Sequence, residues 1–160
     1  MKLQVDIQTA SVEPAPEEDD IRRWIAAALA GGARSADSEI CVRLVDRDEM
    51  SKLNRDYRAK EGPTNVLSFP SDLPSELELP LLGDIIICAP VVRTEAAQQH
   101  KSLRAHWAHL TVHGTLHLLG YDHIEEHQAV AMEALETRIL EQLNFACPYG
   151  DTQALEQTSG

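Results

Sequence analysis

Between residues 113 and 123 the chain reads His113-Gly114-Thr115-Leu116-His117-Leu118-Leu119-Gly120-Tyr121-Asp122-His123, and histidines spaced in this way can hold a metal ion. On a helix, side chains four apart share a face with Cβ atoms about 5–6 Å apart, so His113 and His117 can offer their imidazoles to one ion. A third donor in the same stripe could not complete a tetrahedral shell, so the helix has to end. Gly120 stands two turns after His113, where a residue able to take positive φ stops a helix and turns the chain back. His123 can then close the site from outside the helix. Three neutral imidazoles leave the fourth position to water, the pattern of a catalytic zinc rather than a structural one. Zinc lowers the pKa of its water to about 7, so hydrolysis is the chemistry to expect. The expected cofactor is a single Zn2+, held by His113, His117 and His123, whose bound water attacks or which itself polarises the bond to be cut.

The spacing also matches the metzincin protease pattern H-E-x-x-H-x-x-G-x-x-H, except that Gly114 occupies the place of the glutamate that serves those enzymes as general base. Glycine takes no proton, so peptide hydrolysis by that route is disfavoured, and no other general base is identifiable. His109 lies one turn before His113, with His106 nearly in line, and both are expected behind the metal or facing solvent rather than on it. His100 and His127 receive no role.

A second constellation precedes the histidines. Lys52, Arg55, Arg58 and Lys60 stand beside Gly62-Pro63 and the apolar run Val66-Leu67-Ser68-Phe69-Pro70. The planar guanidinium of arginine suits phosphate, which makes Arg55, Arg58 and Lys60 candidate substrate-binding residues; a plain helix end with cations opposing its dipole explains them equally well.

The elements that must carry these residues follow from hydrophobic periodicity. Leu3, Val5 and Ile7 alternate as in a strand, and Ile21, Trp24, Ile25, Ala28 and Leu29 recur at helical spacing before Gly31-Gly32. Ile40, Val42 and Leu44 give a second strand. Asp46 and Glu49 stand at capping-box spacing ahead of a short helix through Tyr57. Residues 64–69 form a third strand, 71–82 an exposed loop, and Gly83-Asp84-Ile85-Ile86-Ile87-Cys88 a strand buried on both faces. Pro90 opens a helix to about His100. Helices over roughly 102–119 and 124–143 follow. The expectation is an α+β fold, a small mixed sheet of about four strands covered by about five helices. One domain, residues 1–147, is expected, with 148–160 a frayed tail.

Net charge is −12 and the pI about 4.9, the reverse of the usual nucleic-acid binder, so any RNA role has to rest on a local basic patch. The acidic run Glu13 to Asp20 reads as a solvated face. Cys41, Cys88 and Cys147 suggest neither a disulfide framework nor a CxxC site. No signal-like stretch and no run of about 18 apolar residues occurs, which points to a cytoplasmic protein with no membrane partner.

Leu53 to Pro70, the Gly83–Cys88 strand and the His109–His123 segment together, in this order, resemble the signature segments of the YbeY family, and the match spans about residues 40–143. The resemblance implies a single-strand-specific, metal-dependent endoribonuclease of ribosomal RNA maturation and ribosome quality control. It implies RNA and the small ribosomal subunit as partners, with further ribosome-associated proteins. It carries the metal ligands onto His113, His117 and His123 and the functional arginine onto Arg58. Two rival readings stay open from the residues: a metalloprotease-like hydrolase, and a non-catalytic ribosome-associated factor whose zinc only fastens helices.

Overall fold

The computed structural model describes residues 2–71, 79–121 and 126–145. His123, Cys147, most of the expected loop at 71–82 and the expected C-terminal tail lie outside these residues.

The elements follow the order β1 (Leu3–Thr9), α1 (Glu18–Gly31), β2 (Ser38–Val45), α2 (Arg47–Arg58), β3 (Val66–Pro70), β4 (Leu81–Cys88), α3 (Ala89–Gln98), α4 (Leu103–Leu118) and α5 (Glu126–Gln142). The strands form one sheet in the order β1-β2-β4-β3, in which β1, β2 and β4 run parallel and β3 lies antiparallel to β4. Among the described residues this is the expected α+β architecture, a four-stranded mixed sheet with five helices.

The apolar run in β4 has a simple cause. Alternate residues of a strand face opposite sides, and here both sides are covered. Ile85 and Ile87 join Val5, Ile40, Val42 and Leu44 in the main core with α1, α4 and α5, where Ile21, Trp24, Ile25, Leu116 and Ile139 are almost wholly excluded from water. Ile86 and Cys88 point the other way and pack with Met50 and Leu53 of α2. Each fully buried large side chain stabilises the fold by about 1.5–3 kcal/mol, so these two clusters fix where α2 and α4 sit on the sheet.

Two local expectations need correction. Strand β4 begins at Leu81, inside the segment read as loop, because Leu81 pairs with Glu39 of β2. The capping box at α2 does not form, although Asp46 occupies the N-cap position. Its carboxylate instead accepts hydrogen bonds from Ser11 Oγ and from Val12 N (3.3 Å), and Glu49 is taken by Arg43 at 2.6 and 3.0 Å. Both carboxylates found partners outside the helix. In the acidic run, Asp20 pairs with Arg104 at 2.5 Å and Glu13 with Arg93 at 3.1 Å, so these two carboxylates are not merely solvated.

Candidate metal centre and phosphate-binding pocket

Helix α4 starts at Ser102, whose side chain caps it by accepting from Ala105 N at 3.0 Å. It ends as the sequence predicts. Gly120 takes φ of +98°, its N–H donates to His117 O (3.0 Å), and Tyr121 N–H donates to Leu116 O (3.1 Å). This paired closure reverses the chain at a residue for which positive φ costs nothing.

Within α4, Gly114 faces the sheet. A Cβ there would lie 2.9 Å from Ile85 Cγ2 and 3.3 Å from Ser68 Oγ. Ser68 Oγ also donates to the Gly114 carbonyl at 3.1 Å, tying β3 to α4. The place that holds a glutamate in metzincins is thus packed against the sheet and has no room for a side chain, which strengthens the case against a protease mechanism.

His113 and His117 emerge on another face, with ring centroids 4.6 Å apart and Nε2 atoms at 3.1 Å. The other nitrogen of His113, Nδ1, lies 2.6 Å from Glu136 Oε1 of α5, while Oε2 of the same carboxylate lies 2.8 Å from His109 Nε2. Glu136 is fully buried. Burial alone would raise its pKa, but the hydrogen bonds from His109 and His113 outweigh it and pull the group down to about 2. It is therefore an anion that accepts from both rings. Burial pushes the His109 pKa down, against the opposing pull of Glu136, so that ring is neutral and donates from Nε2. A carboxylate on His113 Nδ1 fixes the proton there and leaves the Nε2 lone pair directed at His117, the arrangement that metal-bound histidines adopt.

Donor chemistry therefore fits a zinc ion. Zinc–nitrogen bonds of about 2.0–2.1 Å in a tetrahedral shell place nitrogens about 3.3 Å apart, close to the 3.1 Å here. Among the described residues no three metal-ligating side chains gather to hold an ion, and the expected third ligand, His123, lies outside them.

Both histidines line a cavity of ≈ 640 Å³ that Arg58, Tyr57, Asn65 and Phe69 also line. Arg58 is the last residue of α2, exposed, and makes no ion pair among the described residues. It is delivered by a tight reversal. Ala59 takes the left-handed conformation (φ 54°), and Asn54 Nδ2, a turn back in α2, donates to Gly62 O at 2.9 Å, holding the loop that leads into β3. Arg55 and Lys60 are also exposed, but neither lines the cavity, and Arg55 lies 3.7 Å from Asp56. Of the three basic candidates, the fold brings only Arg58 to the histidines.

His106 and His109 do not face solvent. His106 is 3% exposed, and its Nε2 lies 2.9 Å from Glu95 of α3, which also accepts from Asn65 Nδ2 at 3.1 Å. Glu136 went unnoticed in the sequence because nothing local distinguishes one glutamate in an acidic helix; a glutamate on the apolar stripe of Met132, Leu135 and Ile139 was the available signal.

A family model for endoribonuclease YbeY matches residues 3–144. Among curated relatives, each named endoribonuclease YbeY, the protein of Cellvibrio japonicus is 52% identical over 94% of this chain and 85% of its own. That of Stutzerimonas stutzeri is 54% identical over 93% of this chain and 92% of its own. A Pseudomonas putida protein is 55% identical over 94% and 96% respectively. The solution structure of TM1509 from Thermotoga maritima shares the fold, with a TM-score of 0.58 and 20% identity over 88% of this chain and 92% of that one. Likeness of this extent, running through β1 to α5, means that the chain belongs to the endoribonuclease YbeY family.

Proposed function

We propose that this protein is a zinc-dependent endoribonuclease that cleaves single-stranded RNA during ribosomal RNA maturation and ribosome quality control in the cytoplasm. Family membership supports the endoribonuclease activity. The single observation that carries the mechanism is that His113, His117 and Arg58 line one cavity. A phosphodiester seated there meets imidazole donors and a guanidinium together.

His113, His117 and His123 would hold the ion, and bound zinc supplies Lewis acidity toward a phosphoryl oxygen and acidifies water. Everything else falls to the chain. Arg58 binds the phosphate through its planar fork and offsets charge that develops on the phosphoryl oxygens in the transition state. Glu136 keeps the His113 proton on Nδ1, and the bond from Ser68 to the Gly114 carbonyl sets the height of α4 over β3. With a net charge of −12, the protein has little general attraction for RNA, so recognition has to come from this pocket and from the small ribosomal subunit or proteins bound to it. Among the described residues no helix is long and apolar enough to cross a membrane.

The test incubates the purified protein with single-stranded and with structured ribosomal RNA, with and without zinc. Metal-dependent internal cuts that vanish in Arg58→Ala, with bound zinc unchanged, are expected. Cleavage that persists after exhaustive chelation to a metal-free protein would sink the catalytic role of zinc.

A further inference from the structure

Tyr57 is 68% exposed, whereas Trp24 and Trp107 are buried and Phe69, Tyr121 and Phe145 are partly so. Among the described phenylalanine, tyrosine and tryptophan side chains it is the only one that stands in water. Its place is specific: it precedes Arg58 in the last turn of α2, and both line the cavity that His113 and His117 also line. Phe69 of β3 meets it edge to face, with centroids 5.1 Å apart and ring planes at 66°. That contact limits the rotamers of Tyr57 and so reduces the entropy lost when a ligand presses on it.

An exposed, braced ring one residue from a phosphate-binding arginine has the makings of a nucleobase platform, since bases stack on aromatic rings while cations track the backbone. We propose that Tyr57, supported by Phe69, stacks on an unpaired base of the RNA whose phosphate Arg58 holds. The inference deepens the endoribonuclease reading and rests on it. It gives a physical source for a preference for single strands: a base within a duplex is stacked and paired, and offers no open face to the ring. It also explains how so acidic a chain holds RNA, because stacking does not depend on net charge.

The test measures equilibrium binding of fluorescein-labelled 2′-O-methyl oligoadenylate by anisotropy, so that cleavage does not enter the readout. Three strands are compared: the single strand, the same strand annealed to its complement, and a strand of abasic residues. For the single strand, Tyr57→Leu should weaken binding about tenfold, and Tyr57→Phe should stay within about twofold of wild type. The abasic strand and the duplex should bind weakly to wild type and be indifferent to either change. The dependence of binding on salt should be the same in all three proteins, because phosphate contacts remain. Wild-type protein that binds the abasic strand as tightly as the intact one overturns the stacking, whether or not the variants fold. So does a Tyr57→Leu protein that binds the single strand as wild type does. If wild type cleaves single-stranded RNA while these arms fail, the endoribonuclease reading stands and only the platform falls; if it neither binds nor cleaves, both fall.

Discussion

Four histidines descend one face of α4 at intervals of three and four residues, His106, His109, His113 and His117, yet the inner pair and the outer pair have different chemistry. In the inner pair a carboxylate meets the far nitrogen of each ring: Glu95 lies at Nε2 of His106 (2.9 Å), and Glu136 at Nε2 of His109 (2.8 Å). The outer side chain His113 meets Glu136 through Nδ1 instead, at 2.6 Å, and keeps Nε2 toward His117. The spacings, three residues in the inner pair and four in the outer, both keep the rings on that face, so spacing does not set the two apart. The difference lies in which ring nitrogen the neighbouring helix reaches, and this decides whether an imidazole becomes a clamp between helices or a donor at a cavity. His106 joins α4 to α3, His109 joins it to α5, and only His113 and His117 reach the pocket.

Glu136 is shared by the two halves, and removing it should have the largest effect. Glu136→Ala leaves two donors without their acceptor, at roughly 1–3 kcal/mol each, so a loss of about 3 kcal/mol in urea unfolding is expected. Zinc affinity should fall about 10- to 100-fold in a chelator competition, because the His113 tautomer is no longer fixed. Unchanged zinc affinity would mean that the carboxylate acts only as a clamp.

The two halves can next be separated. His113→Ala should abolish bound zinc and RNA cleavage together. His106→Ala should leave zinc content unchanged and lower stability by about 2 kcal/mol, from the cavity and from Glu95 losing one of its two partners. Metal analysis of both variants checks this, and zinc lost from His106→Ala would break the distinction.

Gly114→Ala presses a methyl toward Ile85 and Ser68. A destabilisation of about 1–2 kcal/mol is expected, with a smaller drop in zinc affinity as α4 shifts on β3. Thermal unfolding measures the first, and an unchanged melting temperature would show that the packing yields freely.

The smallest effect concerns acid. The hydrogen bond from His106 holds the Glu95 carboxyl below its ordinary range; burial opposes this, and Asn65 adds to the lowering. A carboxylate lowered by folding contributes stability that is fully present above its unfolded value of about 4.3 and is lost as pH falls through the folded one. Wild type should therefore lose stability on acidification below about pH 4.3, and Glu95→Gln should show a shallower loss. Urea midpoints across that range give the slopes, and equal slopes would remove Glu95 from the inner clamp's energetics.

Much of this was legible in the residues. The alternation in β1 and β2 and the glycine stop after α4 predict elements that the fold contains, because each depends on a local period or a local φ. The start of α3, with Pro90 in its first turn, has the same local origin. The start of β4 was not legible, since Leu81 becomes strand only through pairing with Glu39, forty-two positions away. The capping box failed for a related reason: Asp46 and Glu49 had the right spacing, but Ser11 and Arg43 were the better partners.

By itself the sequence determined that His113 and His117 share a helical face, that the helix ends at Gly120, and that Arg55, Arg58 and Lys60 cluster about the end of a short helix. Tertiary structure alone decided that Arg58 and not Arg55 or Lys60 shares a cavity with those histidines, that Gly114 is packed against the sheet, and that Glu136 chooses the nitrogen by which His113 is held. Helical periodicity fixes only the directions of side chains around one axis. Which of those directions meets a carboxylate, a strand or a cavity depends on how separate elements pack, and packing is set by contacts far apart in the chain.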